Sequence, residues 1–155
     1  MIVSQKQVYC RPSLCIGCRT CANACAVVHE GEANPRLGRI TIRQNLLERY
    51  EFQELCRHCN EAPCLDACMV GCIEKDEDTG VVTNDDRCVG CWMCIMVCPY
   101  GGMKRDERKQ MAIKCDHCKD RETPACVDVC PTGALVYEDR EDAPEEPFFT
   151  GPTVA

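Results

Sequence analysis

At 155 residues and 17.4 kDa the chain is of one-domain size, yet Leu, Ile, Val and Phe supply only 30 residues and aromatic side chains 5%, too little for burial alone to hold a fold. A net charge of −7, from 25 acids and 18 bases, speaks against nucleic acid as a partner. The missing stability must come from the 18 cysteines, through a disulfide framework or through metal-thiolate bonds.

In chain order, Cys10 falls in a predicted strand and reads as a small buried residue. A first set, Cys15, Cys18, Cys21 and Cys25, has the spacing C-x2-C-x2-C-x3-C and leads into a helix predicted over Cys21 to Val28. Next, Arg39-Ile40-Thr41-Ile42-Arg43 alternates apolar with polar residues and predicts a strand. Arg36, Arg39 and Arg43 would give that region either a solvated face or a docking face for an acidic partner.

The second set is Cys56, Cys59, Cys64 and Cys68, whose middle is lengthened to C-x4-C and carries Pro63; a short helix is expected over Cys64 to Met69. Asp78-Thr79-Gly80 is a turn signal and Val81-Val82-Thr83 a short strand. The third set, Cys88, Cys91, Cys94 and Cys98, repeats the spacing of the first and adds Pro99, with a helix over Cys94 to Val97. The fourth, Cys115, Cys118, Cys126 and Cys130, widens the middle to C-x7-C with Pro124 before a helix over Cys126 to Val129. Residues 138–155 carry six acids, one base and three prolines around Phe148-Phe149; such a tail is either disordered or an anchor that orders on a partner.

The C-x2-C-x2-C-x3-C-P run is the thiolate spacing of bacterial iron-sulfur cubes, in which three close thiolates wrap one cube and the fourth turns towards a neighbour. Longer middles in sets two and four still close on a cube. A repeat runs beyond the cysteines: Cys68-Met69-Val70-Gly71-Cys72-Ile73, Cys98-Pro99-Tyr100-Gly101-Gly102-Met103 and Cys130-Pro131-Thr132-Gly133-Ala134-Leu135 share one frame. Cys72 sits where the other copies have Gly102 and Ala134, so it reads as a structural thiol. Trp92, between two ligands, reads as a cover against water, while His29, His58 and His117 are surplus to complete sets and read as surface or hydrogen-bonding residues.

With these motifs the chain resembles, over about 130 residues, the four-cluster ferredoxin-like electron-transfer subunits of bacterial oxidoreductases, the type associated with dimethyl sulfoxide reductase, formate dehydrogenase, hydrogenase, carbon monoxide dehydrogenase and aldehyde oxidoreductase. Ala26 and Met69 depart from that pattern, standing where ferredoxins usually have proline. The resemblance implies an α+β fold of two ferredoxin-like dicluster units, an inner one (50–104) inserted into an outer one (1–49 plus 105–137), followed by the tail. It also implies four [4Fe-4S] clusters with crossed ligation. The outer unit would then hold site a (Cys15, Cys18, Cys21, Cys130) and site b (Cys25, Cys115, Cys118, Cys126). The inner unit would hold site c (Cys56, Cys59, Cys64, Cys98) and site d (Cys68, Cys88, Cys91, Cys94).

The function implied is a relay of single electrons between a catalytic oxidoreductase subunit and a second redox subunit, such as a flavoprotein oxidising or reducing NAD(P)H. No residue set in the chain could activate a substrate, so it is expected to be non-catalytic. The alternatives are a diffusible polyferredoxin and a zinc-stapled interaction module. MIVSQKQVYC has neither an apolar targeting core nor a twin-Arg pair, and the longest apolar stretch, Cys91 to Tyr100, is far too short for a bilayer. The expectation is a cytoplasmic protein without membrane insertion, unfolded when metal-free.

Overall fold

A computed structural model describes residues 6–45, 47, 50–77 and 82–139. Among them the strands pair as four separate two-stranded antiparallel ribbons. β1 (Lys6–Cys10) runs against β8 (Leu135–Asp139), so segments from the two ends of the sequence lie side by side, Cys10 opposite Leu135. β2 (Thr41–Asn45) pairs with β3 (Tyr50–Glu54), β4 (Ile73–Lys75) with β5 (Val82–Asn84), and β6 (Met103–Asp106) with β7 (Met111–Lys114). Four helices, α1 (Thr20–Glu30), α2 (Pro63–Asp66), α3 (Met93–Val97) and α4 (Ala125–Asp128), follow the cysteine loops; α1 packs on α4 and α2 on α3. The turn at Asp78-Thr79-Gly80, Val81 and the tail from residue 140 lie outside the described residues.

Proline decides where one of these helices stops, and its absence lets another run on. Cys98 precedes Pro99 and takes an extended conformation (φ −74°, ψ 113°), which ends α3 at Val97. In the first set Ala26 stands in the proline position, and α1 continues for 11 residues to a left-handed Gly31 (φ 69°), whose N–H donates to the carbonyl of Val27. Cys21 and Cys25 therefore lie one turn apart on a single buried face of α1. Met69, the other departure, follows an α2 that has already stopped at Asp66, and its side chain is exposed.

β2 starts two residues later than the alternation suggested. The reason is Arg39: its backbone N–H donates to Cys25 Sγ at 3.2 Å rather than to a ladder, and its guanidinium binds Asp116 at 2.6 Å. Arg43 is likewise occupied, by Glu54 across the β2–β3 ribbon at 3.0 Å. Of the three arginines suggested as a docking face, Arg39 and Arg43 thus serve carboxylates of this chain.

The repeat frame is structural. Gly71, Gly101 and Gly133 are all left-handed (φ 60°, 62°, 66°), and Ile73, Met103 and Leu135, two residues on, are each 4% exposed where β4, β6 and β8 begin. The residue between is buried in all three copies, and its space differs. A Cβ on Gly102 would stand 2.6 Å from the Cα of Cys56 and 2.8 Å from its N, both backbone atoms that cannot swing aside. Gly102→Ala should therefore cost about 1–3 kcal/mol by overpacking, read as a lower thermal midpoint of the iron-loaded protein. An unchanged midpoint would show that the Cys56 loop gives way freely.

Buried side chains gather in two cores. One joins Val8, Ile40, Ile42, Leu55 and Leu135 with Cys10, Cys21, Cys25, Cys115 and Cys126; the other joins Ala62, Ile73, Met103 and Ala112 with Cys72 and Cys94. No helix among the described residues is long and apolar enough to cross a membrane.

Candidate metal centres

Each cysteine loop needs one left-handed residue immediately before its second cysteine. Gly17, His58, Gly90 and His117 occupy that slot with φ of 66°, 43°, 67° and 59°. Glycine adopts this conformation without a Cβ penalty, and at Gly90 a Cβ would sit 2.6 Å from the carbonyl oxygen of Gln110. Folding the loop this way turns backbone N–H groups onto sulfur: His58 N donates to Cys56 Sγ at 3.5 Å and His117 N to Cys115 Sγ at 3.4 Å.

The loops bring cysteines together across the sequence. Cys15, Cys18, Cys21 and Cys130 line one cavity, Cys56, Cys59, Cys64 and Cys98 a second, and Cys68, Cys88, Cys91 and Cys94 a third. Cys126 has Cys115, Cys25 and Cys118 within electrostatic reach, which collects the remaining four. In every group the last cysteine of one set meets the first three of another.

Gathered thiols suit a cationic core and little else. Burial pushes the Cys21 thiol up to about 12 and Cys94 to about 11, and neighbouring cysteines add to both shifts. Burial likewise drives Cys115 and Cys126 far upward. Only a metal core that deprotonates its ligands would make four clustered thiolates favourable here.

Fixed charge is arranged around the sites. Lys114 is 2% exposed, lies within reach of Cys64 and donates to the carbonyl of Cys115 at 3.3 Å. His29 bridges the carbonyl of Cys25 (2.8 Å) and Asp116 Oδ1 (3.0 Å), and Asp116 accepts the Cys118 N–H at 3.0 Å while binding Arg39. The Asp116 hydrogen bond, followed by contacts to Cys118 and Cys25, raises His29 to about 12, so it is a cation beside these sulfurs. Burial is the largest influence on Cys25 and raises it, but His29 and the Arg39 N–H together outweigh burial and leave it lowered.

The other two histidines are not on the surface. His58 and His117 are 2% and 5% exposed and their rings meet at 3.9 Å between centroids, with Tyr137 edge-on to His117 at 5.6 Å. Burial, then the charge of Lys114, lowers His117 to about 4, so it is neutral at physiological pH. The C-x-[GH]-C alternation was the sequence signal for these positions. Nothing comparable marked Asp116 or Lys114.

Cys10 and Cys72 are buried, as expected of small packing residues, yet each lines a cavity with four other cysteines. Trp92 lines the cavity of Cys88, Cys91 and Cys94, and the Arg105 guanidinium stacks on its ring at 4.3 Å.

The profile of the 4Fe-4S dicluster domain matches residues 47–140, more than half of the chain, and that of a 4Fe-4S binding domain matches residues 12–28. This chain belongs to the 4Fe-4S dicluster family. Within that ferredoxin-like family it is 39% identical over 137 residues to the putative electron transport protein YsaA of Escherichia coli (strain K12), covering 82% of this chain and 85% of YsaA. It is 37% identical over 151 residues to the electron transport protein HydN of the same strain, covering 83% and 85%. Protein NrfC, also of that strain, is 37% identical over 147 residues, 86% of this chain, and the match spans 65% of NrfC, just under two thirds of its length. Among solved structures, the active site complex BamBC of benzoyl coenzyme A reductase matches with a TM-score of 0.55 and 22% identity over 87% of this chain and 77% of that one, a likeness of fold. Multiple [4Fe-4S] clusters thus replace zinc as the cofactor.

Proposed function

We propose that the chain is the electron-transfer subunit of an oxidoreductase complex, holding four [4Fe-4S] clusters at sites a to d and relaying single electrons along them. The ligands would be crossed: Cys15, Cys18, Cys21 and Cys130 at a, Cys25, Cys115, Cys118 and Cys126 at b, Cys56, Cys59, Cys64 and Cys98 at c, and Cys68, Cys88, Cys91 and Cys94 at d. Sites a and b would form the outer unit, sites c and d the inner one, a division that the two buried cores support.

The observation that carries the relay is its order. Cys126 of site b has Cys21 of site a within electrostatic reach, Cys115 of b has Cys56 of c, and Cys94 of d has Cys64 of c. These neighbours support a relay that would run in the order a, b, c, d. Only two of the sixteen proposed ligands are exposed, and they belong to the two ends: Cys18 at a and Cys91 at d. All four at b are buried. Exposed apolar side chains flank both ends, Leu14 and Ile16 beside a, Val70, Val89 and Met93 beside d, as expected where partner subunits dock.

Bound clusters would supply one-electron storage over a range of potentials. The protein's residues do the rest: the loops hold sulfur in place, Trp92 shields site d, and the cations near b and c offset negative charge. A catalytic subunit would dock at one end and a second redox subunit, a flavoprotein among the candidates, at the other. Carbon monoxide, aldehyde or formate oxidation would suit that catalytic partner, and the relative named thiosulfate reductase electron transfer subunit PhsB, 34% identical over 134 residues, supports membership of such a complex.

Reconstitution tests this. The co-purifying catalytic subunit should reduce its physiological acceptor only when the iron-loaded chain is added. Equal turnover without the chain would remove the relay, and failure of any large subunit to co-purify would favour the diffusible polyferredoxin.

A further inference from the structure

The two cysteines outside the sixteen ligands are placed alike, and their placement has a consequence for the two ends of the relay. Cys72 is 3% exposed, and its Sγ lies 3.4 Å from Cys68 Sγ and within hydrogen-bonding reach of Cys88, two proposed ligands of site d. Cys10 is 6% exposed, hydrogen-bonds Cys15, and lines the cavity of site a.

Chain geometry shows that these thiols reach equivalent places by different routes. The repeat frame puts a buried small residue four positions after the last cysteine of sets two, three and four, and at d and a that residue lines the site which the cysteine enters. At d this residue is Cys72 itself. At a it is Ala134, which has no donor, and sulfur arrives instead from β1, where Cys10 pairs with Leu135 next to Ala134 in the β1–β8 ribbon. At c the same position is Gly102, pressed against the backbone of Cys56, with no room for any side chain. Packing alone thus accepts glycine or alanine in this frame. A thiol stands at the two end sites, whereas the middle sites have buried or half-buried cations nearby, Lys114, His29 and Arg39.

We propose that Cys10 and Cys72 are positioning residues whose S–H groups donate to ligand sulfurs at sites a and d and raise the reduction potentials of the two terminal clusters. This rests on the ligand sets proposed above. The physical basis is direct: reduction adds negative charge to a cluster and its thiolates, and a donor aimed at a ligand sulfur stabilises that charge more than the oxidised form. A ligand sulfur is a thiolate and can only accept, so the thiol beside it is the donor: Cys72 Sγ stands 3.4 Å from Cys68 Sγ, and Cys10 shares the cavity of Cys15. At a, Cys10 shares the task with the hydroxyl of Thr20, which donates to Cys18 Sγ at 3.4 Å, and with Thr132 near Cys130 at 3.8 Å. At d the other donors to sulfur include the backbone N–H groups of Val70, Cys72 and Ile73 at Cys68 and of Ala112 at Cys88. The larger effect is expected at d.

The test is redox titration of the anaerobically purified, iron-loaded full chain, followed by electron paramagnetic resonance, with iron counted in every sample. Cys72→Ala should keep all iron and lower one midpoint potential by about tenfold in its reduction equilibrium, which for one electron is about 59 mV. Cys10→Ala should lower a different midpoint by less. Cys72→Ser and Cys10→Ser, which keep a donor, should stay near the parent values, and a cluster lost on Ala but restored with its potential on Ser also supports donation. Full iron with unmoved potentials in both Ala variants overturns the proposal while leaving the ligand sets intact. Equal shifts for Ala and Ser would make the effect one of packing, and would overturn it too. Loss of one cluster in both substitutions would make the cysteine a ligand, defeating the proposal and the ligand sets together.

Discussion

Removing iron should unfold this chain. Five of the eleven buried residues of one core and two of the six of the other are cysteine, so little apolar packing remains without the metal. The strands form only two-stranded ribbons, which are marginal in water by themselves, and α2, α3 and α4 each have no more than five residues. A domain of ordinary stability has about 5–15 kcal/mol in hand, and thiolate-metal bonding of comparable size is absent from the unfolded chain. The metal-free chain would also hold gathered thiols that no longer have a reason to adjoin. Chelation under oxidising conditions should therefore abolish visible absorbance and far-ultraviolet circular dichroism together. A metal-free chain that kept a cooperative thermal transition would show that the apolar cores suffice.

Substituting ligands in pairs should expose the crossing. Cys21→Ala and Cys130→Ala are each expected to cost one cluster, about four iron atoms, since either removes a thiolate from site a. The double variant should lose no more than either single one. Cys126→Ala combined with Cys130→Ala, although both residues belong to the same set, should lose two clusters, because Cys126 in α4 neighbours Cys115, Cys25 and Cys118 while Cys130, beyond the helix, lines the cavity of Cys15, Cys18 and Cys21. Non-additivity of this kind reports a shared site without a structure. If Cys130 instead behaved as one unit with Cys126, each set would be self-contained and the insertion of one ferredoxin-like unit into another would be wrong.

Much of this was legible in the sequence because cysteine spacing is a short-range signal. The four helices follow the loops within a few residues of their expected places, and the strand at Val82 is present. What failed to show was anything decided by contacts between distant loops. β2 slipped by two residues because the Arg39 N–H found a sulfur from α1. His58 and His117 read as surplus residues, on the surface or hydrogen-bonding, but their loops, nearly 60 positions apart, press the two buried rings together. Cys72 was recognisable as a packing residue from the repeat frame, whereas its approach to Cys68 depends on the backbone turn at Gly71. Asp116 could be any acid after a cysteine until His29 and Arg39 are brought to it.

The ribbon that joins Lys6 to Asp139 bears on the order in which the protein can be made. A ribosome releases Cys15, Cys18 and Cys21 early and Cys130 late, and at about 5–20 residues per second the delay between Cys21 and Cys130 is on the order of 10 s. Cysteines 56 to 98 all emerge within that interval, so the inner cage can close on the nascent chain while the N-terminal trio still waits. β1 has no strand to pair with until β8 has been made. With the ligand sets proposed above, maturation would run from the middle outward, and oxidants reaching the growing polypeptide would meet Cys15, Cys18 and Cys21 for longest, since theirs would be the last site sealed.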